Sequence, residues 1–153
     1  YTYDKTTIGN IAFSLPVGTN FFLEQAKFKA MRLLWFQVAH AYGVKDFKAG
    51  QLHIHARGET WTPGNYQPHG NMLKSTTSAM SAIMGGCDAL TVLAEDENNA
   101  IMSRVARNVS NLLREESHLN KVADPMAGSY ALENMVHQLA EQAWKKFQLN
   151  LQE

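Results

Sequence analysis

The stretch QLHIHAR, residues 51–57, decides the fold class of this chain. Apolar and polar residues alternate along it one by one, with Leu52, Ile54 and Ala56 on one side and His53, His55 and Arg57 on the other. A period of two is typical of a β-strand that has one apolar and one polar face. We therefore predict a strand over residues 51–57.

Strand and helix patterns alternate on both sides of this segment. Further strands are predicted from Ile11 to Val17 and from Ala89 to Ala94. Helical spacing predicts helices over 21–42, from residue 68 or 71 to 84, over 101–112 and over 132–147. The pair Gly85-Gly86 is expected to stop the second helix, and residues 58–70 and 124–128 are expected to form loops.

Three strands that alternate with helices indicate parallel βα units, as in a (β/α)8 barrel or a doubly wound sheet. Three units are too few to close a barrel, which usually needs about 250 residues. A three-stranded parallel sheet also leaves unpaired edges. We expect the rest of the barrel to be missing, so that the chain self-associates or needs the missing segments.

Composition and charge exclude several function classes. Lys plus Arg and Asp plus Glu each total 14, so no net charge favours nucleic acid or an anionic membrane. The single cysteine, Cys87, excludes an internal disulfide and fits a reducing compartment. No membrane span or signal peptide is visible, and the chain does not begin with methionine. We expect a fragment of a cytoplasmic protein with no nucleic-acid or membrane partner.

The polar row on the second strand is the first candidate site. In a barrel this row faces the interior near the mouth, where ligands bind, but His53 and His55 are equally compatible with hydrogen-bonded core histidines. A metal-dependent hydrolase is a further alternative, with Glu95 or Asp96 as the additional carboxylate. The long loop after the strand carries four more candidates, which also suit a stiffened lid: Trp61, Asn65, Tyr66 and His69.

Three longer stretches resemble the methylmalonyl-CoA mutase family. GTNFFLEQAKFKAMRLLW, residues 18–35, is similar to the family helix that opens with G-x-N-F-x-x-E-x-A-K. HARGETWTPGNYQPHGNMLKSTTSAMSAIMGG, residues 55–86, is similar to the next strand end, loop and helix. RVARNVSNLLREESHLNKVADPMAGSYALE, residues 104–133, resembles a third family run. The likeness covers about residues 10–148.

The resemblance implies a fold and a cofactor. Residues 1–128 would be three βα units, the C-terminal part of a (β/α)8 TIM-type barrel, and residues 129–153 a helix that leaves the barrel toward a missing linker or cobalamin-binding-like domain. In the family an acyl-CoA threads the barrel, and adenosylcobalamin caps it from another domain. The cobalamin lower-ligand signature D-x-H-x-x-G is absent, because residue 53 is His where Asp is needed. We expect adenosylcobalamin in the holoenzyme and not on this chain alone.

Departures from the family pattern suggest an inactive chain. His55 matches the family, but catalytic members carry glutamine at the position of Arg57 and a glutamate that faces the adenosyl group at Ser78. Lys29 replaces an arginine. The matched catalytic positions are thus His55, Arg57 and Ser78, none expected to be intact, and the substrate-binding candidates are Lys29, His55 and Arg57.

The resemblance therefore implies a role in the interconversion of methylmalonyl-CoA and succinyl-CoA, in propionate metabolism. CDALTVLAED, residues 87–96, is similar to the small, non-catalytic subunit, which pairs with a catalytic large subunit in a heterodimer. The alternative is a fragment of an active mutase with altered substrate choice, in which Arg57 contacts a carboxylate or phosphate.

Overall fold

Three parallel strands form one sheet in the computed structural model, which describes residues 5–59 and 70–151. The strands are β1 (Ala12–Val17), β2 (His53–Gly58) and β3 (Ala89–Thr91), in the order β1-β2-β3. β1 pairs in parallel with β2, and β2 pairs in parallel with β3. Parallel neighbours need a crossover segment, usually a helix, and the predicted alternation of strands and helices is confirmed.

Helices supply these crossovers and extend beyond the sheet. The elements are α1 (Lys5–Gly9), α2 (Phe21–Ala41), a 3-10 turn (Ala49–Gln51), α3 (Gly70–Met84), α4 (Ala100–Glu115) and α5 (Tyr130–Asn150). The four predicted helices are confirmed. The first helix and the 3-10 turn were not predicted, because both are too short to show a helical repeat. No helix in the described ranges is long and apolar enough to cross a bilayer.

Two strand boundaries differ from prediction by more than one residue. The third strand ends at Thr91 and not at Ala94, because the last pair of the β2–β3 ladder joins Arg57 to Thr91 and β2 itself ends at Gly58. The second strand begins at His53, since Gln51 belongs to the 3-10 turn. Strand length is thus set by the neighbouring strand and not by the apolar run alone.

Glycines stop two of the helices, and the stop of α3 at Gly85-Gly86 was predicted. Gly86 has φ +86°, and its amide and that of Cys87 donate back to the carbonyls of Ile83 and Ala82 at the end of α3. Gly43, with φ 83°, ends α2 through the same pair of bonds. Such a Schellman motif needs a residue at positive φ, which glycine adopts without a steric cost.

Within residues 5–59 and 70–151, the helices cover one face of the sheet. Val17, Ile54, Ala56 and Phe28 are buried together where α2 packs on the strands. A second cluster joins α2 to α5, and a third joins α3 to α4. Complete burial of each large apolar side chain contributes roughly 1.5–3 kcal/mol. On the other face the strand residues are mostly exposed, and this open face carries the polar row.

Candidate functional site

The polar row of β2 lies on the open face, as its alternation predicted. Leu52, Ile54 and Ala56 are 1%, 0% and 0% exposed beneath the helices. His53 and Arg57 are exposed on the opposite side, and His55 between them is half-buried. The predicted direction of these side chains is therefore confirmed. Their binding or catalytic role stays a prediction.

His55 is held across the sheet by two hydroxyl groups. The Oγ of Ser14 on β1 lies 2.9 Å from Nδ1 of His55, and the Oγ1 of Thr91 on β3 lies 2.9 Å from Nε2. A neutral imidazole donates at one nitrogen and accepts at the other, and a hydroxyl is able to do either. Both ring nitrogens are therefore engaged within the protein. We call this three-strand set of Ser14, His55 and Thr91 the hydroxyl–imidazole bridge.

Sequence reasoning did not single out Ser14 or Thr91. Ser14 stands at an alternate position of the first strand, between Phe13 and Leu15, and these neighbours pack on the core. Its position therefore already placed it on the polar face. The contact with His55 depends on strand register, which joins Ser14 to His55 and Ala89 to His55. That register was not visible in the sequence.

Arg57 ends the polar row at the carboxyl edge of the sheet. It lies opposite Pro16 on β1 and Thr91 on β3 and lines an open cleft of about 450 Å³. Within residues 5–59 and 70–151 its guanidinium has no ion-pair partner. Glu59 is the acidic residue in the cleft lining. Five fixed N–H donors without a protein carboxylate suit a bidentate anion.

Ser78 is on α3 and is not part of the open face. It is 4% exposed, and its Oγ donates to the carbonyl oxygen of Gly18 at 2.8 Å. This bond fastens α3 to the turn between β1 and α2. The nearby Glu24 carboxylate is also buried and forms an ion pair with Lys27. Ser78 therefore lies in the interior of the protein.

Lys29 lies on the helix side of the sheet. Its Nζ is 2.7 Å from each carboxylate oxygen of Asp124, in the loop before α5. The pair is beside the contact between α2 and α5. Of the residues singled out by the sequence, the structure thus brings together His53, His55 and Arg57, and it places Lys29 and Ser78 elsewhere.

The alternative metal set is not assembled among the described residues. Glu95 accepts a hydrogen bond from Nδ2 of Asn71 at 2.9 Å, and Asp96 accepts one from the backbone N–H of Asn98. No group of three metal-ligating side chains lies together in the described ranges. The loop candidates Trp61, Asn65, Tyr66 and His69 lie outside the described residues.

His55 also does not fit the role of a cobalt ligand. An imidazole binds a metal through a nitrogen lone pair, and both nitrogens of His55 lie at hydrogen-bond distance from Ser14 and Thr91. His53, where the lower-ligand signature has aspartate, is exposed two residues earlier. In this arrangement His55 therefore has no free nitrogen lone pair to offer to cobalt.

The fold defines the class of protein, which is an α/β chain of parallel βα units whose open sheet face carries a polar row. Comparison with known proteins narrows this class, because the family model of methylmalonyl-CoA mutase matches residues 4–150. The chain belongs to the methylmalonyl-CoA mutase family.

Relatives include both kinds of subunit. The methylmalonyl-CoA mutase small subunit of Porphyromonas gingivalis is 39% identical over 142 residues, which are 90% of this chain and 23% of that protein. The small subunit of Streptomyces virginiae is 38% identical over 147 residues, 94% of this chain and 24% of that protein. The large subunit of Porphyromonas gingivalis is 33% identical over 138 residues, 88% of this chain and 19% of that protein. The chain thus spans at most about a quarter of these relatives.

Proposed function

We propose that this chain is part of the small, non-catalytic subunit of a methylmalonyl-CoA mutase. The complete protein would serve the interconversion of methylmalonyl-CoA and succinyl-CoA by pairing with a catalytic large subunit. The observation that carries this proposal is the difference in similarity within one organism. In Porphyromonas gingivalis the small subunit is 39% identical to this chain and the large subunit 33%.

The geometry supports an architecture for this subunit. Three parallel strands with an open polar face and two unpaired edges suit a segment of a (β/α)8 barrel, whose remaining strands would close around that face. In this proposal residues 1–128 form the last three βα units of the barrel. Residues 129–153, which contain α5, lead toward a linker or a cobalamin-binding-like domain.

Three site residues support a non-catalytic role. His55 has both nitrogens engaged by hydroxyl groups. Ser78 stands where catalytic members carry a glutamate, and it is a buried hydroxyl bonded to a backbone carbonyl. Lys29 is paired with Asp124. None of these three side chains is free to act on a substrate in the described arrangement.

The cofactor and location follow from the same proposal. Adenosylcobalamin would belong to the holoenzyme, where it supplies the radical chemistry of the rearrangement, and acyl-CoA would bind to the holoenzyme. This chain would not hold the cobalamin by itself. The protein would be cytoplasmic, with no membrane or nucleic-acid partner.

The test is reconstitution of the full-length protein that contains this chain. Purified alone, it should show no saturable change in cobalamin absorbance and no succinyl-CoA formation in a coupled assay. Mixed with the large subunit from the same organism, it should co-elute on size exclusion, and the mixture should turn over methylmalonyl-CoA. Turnover by the full-length protein alone would overturn the non-catalytic assignment.

A second candidate function rests on Arg57. A guanidinium without an ion-pair partner among the described residues, at the carboxyl edge of parallel strands, suits a ligand carboxylate or phosphate. Such contact is expected of an active mutase with altered substrate choice. Under this alternative, the full-length protein alone binds cobalamin and acts on an anionic acyl-CoA. Arg57→Gln should then raise the KM for that substrate, whereas Arg57→Lys should restore only part of the loss because it lacks the bidentate fork.

A further inference from the structure

The hydroxyl–imidazole bridge joins all three strands on the open face. Ser14 is on β1, His55 is on β2 and Thr91 is on β3, so each strand contributes one polar side chain. Each of the two contacts is 2.9 Å long, which is a normal hydrogen-bond distance. An imidazole on an open sheet face would otherwise rotate freely about its side-chain bonds. Two opposed contacts fix both its position and its plane.

We infer that Ser14 and Thr91 are positioning residues for His55, and that the two ends of the bridge present opposite hydrogen-bonding groups to a ligand. The imidazole N–H donates to one hydroxyl, whose own O–H is then free to donate outward. The bare nitrogen accepts from the other hydroxyl, whose oxygen then has only lone pairs to offer. The bridge therefore presents one donor and one acceptor at any moment.

A change of imidazole tautomer exchanges the hydrogen-bonding roles of the Ser14 and Thr91 hydroxyls. If the proton moves from Nδ1 to Nε2, the hydroxyl that donated becomes the acceptor, and the free O–H appears at the opposite strand. A ligand that accepts a hydrogen bond at Ser14 therefore selects the tautomer with the proton on Nδ1. The same selection leaves the oxygen of Thr91 as an acceptor. The two outer strands are thereby coupled through the ring.

The assignment of acyl-CoA as the ligand of the bridge rests on the proposed function. An acyl-CoA carries a thioester carbonyl that accepts and amide N–H groups that donate, so both ends of the bridge have a complementary partner. Ser14 and Thr91 are exposed on the described chain, which leaves their outward sides accessible. His55 itself has no free nitrogen for that contact. The hydroxyls and Arg57, not the histidine, would then meet the ligand.

The first test measures the rate of hydrogen exchange on the His55 ring and needs no ligand. Deuterium exchange at the imidazole C2 carbon is followed by mass spectrometry in the full-length protein at fixed pH, with fragmentation that separates His55 from His53. Thr91→Val keeps the shape but removes the hydroxyl, and Ser14→Ala removes the other one. Each should speed exchange at His55 by about five-fold, the factor for the loss of one ordinary hydrogen bond. Exchange at His53 should not change.

Two matched variants separate positioning from folding. Thr91→Ser keeps the hydroxyl and should leave exchange at His55 within about two-fold of the parent. Thr77→Val removes a hydroxyl that donates to the carbonyl of Leu73 on the exposed side of α3, and it should have no effect on His55. The positioning role is overturned if Thr91→Val and Thr91→Ser change exchange equally, or if neither Thr91→Val nor Ser14→Ala changes it.

The second test addresses the ligand. Methylmalonyl-CoA is titrated calorimetrically into the assembled mutase with parent, Thr91→Val or Thr91→Ser subunits. Thr91→Val should weaken a binding event assigned to this subunit by about five-fold, and Thr91→Ser should preserve it. Absence of any binding event on this subunit overturns the assignment of acyl-CoA as the ligand. It leaves the positioning of His55 untouched, because the exchange result does not depend on acyl-CoA. Failure of reconstitution with the large subunit would instead count against the proposed function.

Discussion

Arg32 and Asp88 join the amino-terminal ends of β2 and β3, with Nη2 of the guanidinium 2.7 Å from Oδ2 of the carboxylate. The same carboxylate oxygen accepts the backbone N–H of Ile54 at 2.7 Å. The guanidinium also donates to the carbonyl oxygens of Leu52 and Gly86. Arg32 of α2 and Asp88 thus together satisfy backbone groups at this edge of the sheet. Polar contacts at the amino-terminal edge of parallel strands contribute to stability and not to catalysis.

Arg32→Ala should lower the free energy of unfolding by about 2–3 kcal/mol, because it leaves a carboxylate and several carbonyls without their donor. The measurement is urea unfolding of the full-length protein. Arg114→Ala is the matched control, since Arg114 and Glu115 form an exposed pair that is 59% and 68% accessible. That control should cost less than about 1 kcal/mol. Equal losses in both variants would contradict the role given to Arg32.

Gly85→Ala should destabilise the protein, because Gly85 lies where α3 comes close to α2. A Cβ at this position would lie 3.0 Å from Cα of Gln25 and 3.1 Å from Cδ2 of Phe28, where α3 approaches α2. Overpacking of a close helix contact costs about 1–3 kcal/mol. Gly50→Ala is the control, because a Cβ there meets nothing within 4 Å. Thermal unfolding of both variants tests this, and an unchanged melting temperature for Gly85→Ala would refute it.

Ser78→Glu should destabilise the chain and give no catalytic activity. The new carboxylate would replace a hydroxyl that is 4% exposed and donates to Gly18, so a charge would be buried without a partner at a cost of at least about 2 kcal/mol. Thr77→Glu, on the exposed side of the same helix, should cost less than about 1 kcal/mol. Combining Ser78→Glu with Arg57→Gln should not produce succinyl-CoA. Measurable turnover by that double variant would contradict the non-catalytic proposal.

Cys87 should react slowly with alkylating reagents. Burial, followed by the negative charge of Asp88, raises the pKa of its thiol from 9.0 to about 11. The thiolate is the reactive form, so iodoacetamide at pH 8 should modify Cys87 about 100-fold more slowly in the folded protein than in guanidinium. Peptide mapping by mass spectrometry gives both rates. Equal rates would show that the thiol is not shielded.

The raised pKa of Cys87 also makes the free energy of unfolding depend on pH. Between pH 9.0 and about 11 the unfolded thiol has lost its proton and the folded thiol retains it, so unfolding releases a proton. The free energy of unfolding should therefore be unaffected by Cys87 below pH 9 and should fall as pH rises toward 11, by about 2–3 kcal/mol at most. Cys87→Ser removes this dependence. If the parent and Cys87→Ser show the same change in the free energy of unfolding between pH 9 and 11, Cys87 does not cause this pH dependence.

The sequence alone determined the elements of the fold and the direction of the central strand. Alternation over residues 51–57 gave the exposed and buried sides of β2, and all four long helices followed from apolar spacing. Gly43 and Gly86 end helices because positive φ is cheap only for glycine. These features depend on residues within a few positions of each other, so a local pattern contains the information. The family motifs likewise lie in continuous runs.

Only the tertiary structure decided which polar groups meet. Ser14 and His55 are 41 residues apart, His55 and Thr91 are 36 apart, and Lys29 and Asp124 are 95 apart. Such contacts depend on strand register and on how α2 and α5 pack, and a shift of one residue in register would turn His55 away from the open face. Register is fixed by burial of Ile54 and Ala56 against the helices, which is a property of the assembled core. The sequence could place His55 on one face of its strand, but the pairing of the strands in the folded sheet determined which residues contact it.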